Sequence, residues 1–257
     1  RPAPGFRLEE QLTTGQLEVL LVGAAPQLAK ISGNGSARVH TRPIDLTGLR
    51  EQFRTSVMLT MPDGQGVIAM EVLYAGDPVA GEKELEPVRK IGKLLDDSVD
   101  LQDYMVMQTQ EDATLAHGIR SYAKSGMVGE ITPAFADAMI DAYQPDPRQA
   151  IFTHTAGGAV ARVGEMETAF PHRNAQTMLV FASFWTDPEH DEACIAGTRQ
   201  WYSDLQAFTG GYYDNIDFAD DGKIVGNYGP AYDRLSQIKG QYDPGNLFRL
   251  NSNIEPA

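Results

Sequence analysis

The segment Met61-Pro62-Asp63-Gly64-Gln65-Gly66 separates two apolar runs, 56–60 (SVMLT) and 67–74 (VIAMEVLY). Proline presets one backbone angle, and Asp-Gly supplies the positive φ that a tight reversal needs. The two runs are therefore expected to pair as an antiparallel hairpin. Residues 75–78 (AGDP) end the second strand. The spacing then predicts a helix over 82–95, with Leu85, Val88, Ile91, Leu94 and Leu95 on one face and charged residues on the other. A hairpin followed by an amphipathic helix is a β-β-α unit.

The rest of the chain fits the same pattern. Residues 104–108 read as a short strand or the start of a helix. Thr132 and Pro133 read as the N-cap and first position of a helix reaching about Tyr143. Residues 150–155 alternate like a strand, and 177–185 (TMLVFASFW) form the clearest strand of the chain. Residues 186–189 (TDPE) cap a long helix that ends near Phe208, and a further helix is expected over 230–239, stopped by Gly240. The expected fold class is α+β, an antiparallel β-sheet with helices packed on one face. Residues 51–257 are assigned to this domain, and 1–50 are an unassigned N-terminal segment. Within that segment 16–22 (QLEVLLV) is a strand or a short helix. Ser32-Gly33-Asn34-Gly35-Ser36 is a turn. It is not a dinucleotide cradle, because Arg38 stands where the third glycine would fall.

Charge and cysteine content narrow the function classes. The chain of 257 residues carries 21 basic and 35 acidic side chains, a net charge of -14. Nucleic-acid binding rests on Lys and Arg neutralising phosphates, so that class is disfavoured. No apolar run approaches the ~20 residues of a membrane-spanning helix. The single cysteine, Cys194, excludes an internal disulfide and reads as a small core residue. Cytoplasmic localisation is the expectation, compatible with this cysteine content. The first residue is Arg1, so the chain is expected to be a processed or cloned piece of something longer. Nucleophile-elbow, C-x-x-C and H-E-x-x-H motifs are absent.

The end of the chain is densest in aromatics, amides and turn residues. Tyr213 and Asn215, two apart, would share a face if they lie on a strand. A phenol serves as general base only where its surroundings favour the ionised form. Asp214 and Asp217 stand close in sequence and would oppose that. Tyr213 is thus either a base or a half-buried sheet aromatic. Arg120, Tyr122 and Lys124 alternate, and together would bind an anionic or hydroxylated ligand or form a solvated edge. His172 is the best placed of the five histidines for a proton role, or sits in a surface loop. Tyr242-Asp243-Pro244-Gly245-Asn246 is a turn. The tail Asn251-Ser252-Asn253-Ile254, with Leu247, Phe248 and Leu250 before it, reads as a segment that docks against something.

Taken in order, these residues resemble the C-terminal half of the berberine bridge enzyme-like FAD-linked oxidases of the vanillyl-alcohol oxidase group. The resemblance rests on Tyr213-Asp214-Asn215, Asn227-Tyr228-Gly229, Tyr232-Asp233-Arg234-Leu235, the stretch 239–248, and 251–254. Tyr122-Ala123-Lys124-Ser125-Gly126, Gly157-Gly158-Ala159-Val160, 169–173 and Trp185-Thr186-Asp187-Pro188 support it upstream. It implies an alcohol- or sugar-oxidising flavoenzyme in which this chain is the substrate-binding part. Tyr213 would be the catalytic base. Asn215, Tyr228, Asn251 and Asn253 would face the cofactor, and Tyr122 and Lys124 the substrate. The family's flavin-binding half, with its Gly-Gly-His segment, has no counterpart in these residues. FAD would therefore bind only with a partner domain or subunit, and the other partner is a small-molecule substrate. A homodimer stays open. The alternative is a stand-alone binding or scaffold protein that keeps the fold without catalysis.

Overall fold

A computed structural model describes residues 7–10, 17–22, 52–62, 64–74, 77–91, 94–109, 112, 117–217, 224–250 and 252–257. Ser32 to Ser36, Asp63 and Asn251 lie outside the described residues. The chain divides into two compact units. One comprises 1–121, 144–153 and 183–194, and the other 122–143, 154–182 and 195–257.

The first unit is built on a sheet. The hairpin pairs β3 (Gln52–Thr60) with β4 (Gly66–Tyr74), antiparallel and in unbroken register from Gln52 opposite Tyr74 to Thr60 opposite Gly66. Its turn closes through Met61 N–H to Gln65 O at 2.7 Å and Gly64 N–H to Met61 O at 2.8 Å, with Gly64 at φ 89°. Beyond β4 lie β2 (Leu17–Val22), β5 (Leu94–Asp97) and β1 (Arg7–Glu10), in the order β1-β5-β2-β4-β3. Strand β1 pairs antiparallel with β2 and β5, whereas β2 runs parallel to both β4 and β5. These five strands thus combine an antiparallel hairpin at one end with parallel pairings at β2, which the sequence pattern did not show. Val67 and Leu95 are buried with Met61, and Val88 packs against Ile68, Met70, Val72, Ile91 and Leu94. Val57, Ala69 and Ala150 form a further cluster.

The helix expected over 82–95 is corrected. Helix α1 is Pro78–Leu85, with Asp77 as N-cap accepting from Ala80 N–H at 2.9 Å. Asp77-Pro78 therefore starts a helix as well as ending the strand. Pro87 has no N–H to continue the helical bonding, and the chain passes through a 3-10 turn, Val88–Lys90, into β5. Leu85, Val88 and Leu95 are buried as expected, although they sit on three different elements. Arg89 links these pieces by donating to Asp97, at 2.8 Å, and to Glu82. Residues 104–109 form a short helix, α2 (Tyr104–Thr109).

The second unit contains most of β6 (Arg120–Val128), helix α3 (Pro133–Ala142), most of β8 (Thr177–Trp185) and most of α5 (Asp191–Leu205). In sequence between them come β7 (Gln149–Thr155), most of which belongs to the first unit, and the short α4 (Gly158–Ala161). β8 has β6 as a neighbour. Thr132 caps α3 as expected, its hydroxyl oxygen accepting from Phe135 N–H at 3.1 Å. Trp201 of α5 is buried and donates its indole N–H to Ala142 O at the end of α3. Phe181 of β8 meets Tyr202 edge-to-face, with ring centroids 5.8 Å apart. Helices covering an apolar sheet strand are the α+β arrangement expected from the sequence. The chain closes with α6 (Ile224–Tyr228) and α7 (Tyr232–Tyr242). Gly240 does not stop α7, which runs on until Asp243 takes over as its C-cap.

Candidate functional site

The residues from Thr209 to Asp217 carry the site. Thr209 bridges Val128, and Gly210 N–H donates to Met127 O at 2.7 Å, which anchors the segment to the end of β6. The strand expected for 213–215 is then corrected, because Asp214 to Ile216 form a turn. The turn closes around one carbonyl: Ile216 N–H and Asp217 N–H each donate to Tyr213 O at 3.0 Å. Tyr213 and Asn215 still meet, by turn geometry in place of strand alternation. Asn215 Nδ2 donates to the Tyr213 phenol oxygen at 2.7 Å.

Both ends of this turn are tied to one residue of β6. Tyr213 N–H donates to Ser125 Oγ at 2.8 Å, and Ser125 N–H donates to Asp217 Oδ2 at 3.0 Å. The other carboxylate oxygen of Asp217 accepts from Lys124 Nζ at 2.7 Å, with the two side chains only 5% and 6% exposed. Lys124 is thus a buried partner of Asp217. Asp217, read from sequence as a charge acting on Tyr213, has that charge matched by a cation in contact. Ser125 is fully buried and was not singled out by any periodicity.

Further contacts hold the other side of the turn. Phe170 meets the Tyr213 ring edge-to-face at 6.1 Å, and the Arg173 guanidinium lies 5.0 Å from the Phe170 ring centre. His172 Nε2 is 2.9 Å from Asn227 O, and burial lowers the imidazole pKa below its ordinary value. Asn227, itself buried, accepts from Asp214 N–H through Oδ1 at 3.0 Å. His172 also packs on Gly211, which has φ 75°. Two tyrosines flank the turn. The Tyr212 phenol is pushed up to about 12, by burial first and then by the charges of Asp214 and Asp217. That of Tyr228 is raised by burial and by Asp214.

The tail returns to this region. Ser252 donates its hydroxyl to Asp214, and Ser236 of α7 donates to Glu255 O at 2.6 Å. Asn253 Oδ1 is buried and has no hydrogen-bond partner among the described residues. Tyr122 precedes Lys124 by two residues on β6. It is buried, its hydroxyl accepts from Arg199 Nε at 3.1 Å, and the guanidinium lies 5.4 Å from its ring centre. Arg120, third in the alternating set, pairs with Asp191 through two bonds of 2.6 Å. The structure therefore brings Tyr213, Asn215 and Lys124 together around one turn, with Tyr228 and the tail beside it.

The profile "Berberine and berberine like" matches residues 225–255. An FAD-linked oxidoreductase from Dictyostelium discoideum is 26% identical over 197 residues, which are 75% of this chain and 43% of that protein. The C-terminal stretch thus matches the berberine family model, and the longer part of the chain is similar to FAD-linked oxidoreductases. Aclacinomycin-N/aclacinomycin-A oxidase of Streptomyces galilaeus is 28% identical over 123 residues, 40% of this chain and 23% of that enzyme. In structure, the xylooligosaccharide oxidase of Myceliophthora thermophila C1 superimposes with a TM-score of 0.66 at 20% identity, covering 82% of this chain and 49% of that one. The likeness to that structure is one of fold. The chain spans less than half the length of these two oxidoreductases.

Proposed function

We propose that this chain is the substrate-binding part of an FAD-dependent oxidoreductase that oxidises an alcohol or sugar-type hydroxyl. The observation that carries the proposal is the turn 213–217. It presents a phenol oxygen with an amide donor already on it, in a chain related to flavin-linked oxidases. In this reading Tyr213 takes the proton of the substrate hydroxyl. Asn215 donates to the phenol oxygen and holds it in place. Bound flavin supplies the acceptor for the hydride that leaves the same carbon. The names of two relatives, acting on aclacinomycins and on xylooligosaccharides, favour a glycosidic or polyhydroxylated substrate.

The residues present fit a flavin in one respect of their own. Asn253 Oδ1 is a buried acceptor without a donor among the described residues, and a flavin ring carries an N–H of the kind it lacks. Asn253, Asn215 and Tyr228 are the described residues proposed to face the cofactor, with Asn251 alongside them in sequence. Tyr122 is proposed to line the substrate side. The tail also favours a partner over a self-sufficient scaffold. Leu247, Phe248 and Leu250 are 74%, 79% and 86% exposed, an apolar cluster that a cofactor domain would cover.

The test pairs the chain with the flavin-binding polypeptide that its source genome encodes, in frame or as a neighbour. The purified complex is expected to hold FAD and to lose flavin absorbance when an oligosaccharide or alcohol substrate is added without oxygen. Tyr213→Phe is expected to keep the flavin and slow its reduction by about 10²–10⁴-fold, the usual contribution of a general base. Retained flavin that no hydroxyl compound reduces would favour the non-catalytic alternative. A complex without flavin would remove the oxidoreductase reading.

A further inference from the structure

We infer that Lys124 and Asp217 are positioning residues: a buried ion pair that sets the pose of the Tyr213–Asn215 pair, in place of a cation offered to substrate. The inference rests on the proposed role of Tyr213 for its functional meaning, and on the structure of the turn for its physical content.

Three features carry it. Asp217 uses both carboxylate oxygens on adjacent residues of β6, one on Lys124 Nζ and one on Ser125 N–H. A carboxylate held at two points in this way fixes direction as well as distance. Second, Ser125 bonds the turn at its two ends, through its N–H to Asp217 and through Oγ to Tyr213 N–H. Third, the turn is short and closes on itself through the Tyr213 carbonyl, so a displacement at Asp217 is passed to Tyr213. Asn215 lies inside this loop, exposed, with its amide on the phenol. The buried charge is thus matched, and the exposed apex holds the groups offered to chemistry.

A pair kept only for stability would be replaceable by apolar side chains of similar volume. A pair kept for positioning would not. The experiment uses the chain itself, with no flavin, and reads two local quantities by NMR. One is the nuclear Overhauser contact between the Asn215 side-chain amide and the Tyr213 ring. The other is hydrogen exchange at the amides of Tyr213, Ile216 and Asp217. In Lys124→Met/Asp217→Leu, which can fold without a buried lone charge, the contact is expected to vanish. Exchange at the three amides is expected to rise at least tenfold relative to Leu179 and Phe181 of β8. Lys124→Arg/Asp217→Glu is expected to retain most of the contact, and the swap Lys124→Asp/Asp217→Lys is expected not to restore it, because Ser125 N–H then loses its acceptor. A contact that survives in the apolar double variant, or exchange that rises equally in β8, would overturn the inference. Because no turnover is measured, loss of the contact with no oxidase activity in any complex would count against the proposed function alone.

Discussion

Asp217 illustrates how a single residue changes meaning once its neighbours are known. In the sequence it is a carboxylate four residues after Tyr213, and nothing there reveals that Lys124, 93 positions away, will meet it. Long-range pairing of this kind leaves no periodic signal. The two side chains are almost fully enclosed, so removing one leaves the other charged and buried. Asp217→Ala is accordingly expected to cost about 3–5 kcal/mol in urea unfolding. Asp243 makes a different prediction. The Lys239 ammonium, followed by the N–H groups of Leu247 and Phe248, holds its carboxyl down at about 2. A depressed carboxylate stabilises the fold above its unfolded value of about 3.9, and that contribution is lost as pH falls toward the folded value. The urea midpoint of Asp243→Asn should therefore lie below that of the parent at about pH 6 and converge with it at about pH 2.

At the scale of elements, local chemistry was legible and irregular backbone was not. Thr177–Trp185 and the Thr132–Pro133 helix start follow from alternation and capping, signals that act within a few residues. The β3–β4 hairpin follows from its turn. The 82–95 segment was misread because a helix, a 3-10 turn and a strand in series can bury residues at spacings that mimic one long helix. Pro87 was the available warning. The turn at 214–216 was not legible because Tyr213-x-Asn215 fits a strand as well, and only the tie to Ser125 distinguishes them. Gly211 tests whether this region is as tightly set as it looks. Its φ is 75°, and a Cβ there would collide with the His172 ring and come within 2.9 Å of Gly226 O. Gly211→Ala is expected to destabilise by at least the ~1–3 kcal/mol of an overpacked site. Loss of the His172 contact should register in the imidazole NMR signals. Thr132→Ala, which removes a cap far from the turn, should cost about 1 kcal/mol and leave those signals unmoved.

For the chain as a whole, the likeness to berberine bridge enzyme-like oxidoreductases was legible from the order of short motifs near its end, while the parallel pairing of β2 was not. Parallel neighbours depend on connections across long stretches of sequence, which no local pattern encodes. No helix among the described residues is long and apolar enough to cross a membrane. The C-terminal loop joins stiffness to exposure. Lys239 donates to both Asp243 and Phe248 O, at 2.7 and 2.6 Å, while Leu247 and Phe248 beside them face outward. Held in this form, the apolar side chains need little ordering to meet a partner. Leu247→Ser/Phe248→Ser is thus expected to leave the chain's urea midpoint nearly unchanged and to weaken its capture of a flavin-binding polypeptide.

The most direct measurement is flavin reduction in the complex of this chain with that polypeptide, with oxygen excluded and an oligosaccharide or alcohol added. Substrate-dependent loss of flavin absorbance, slowed by Tyr213→Phe at unchanged flavin content, is the result expected. Equal rates of reduction in the parent and Tyr213→Phe complexes would contradict the role given to the turn.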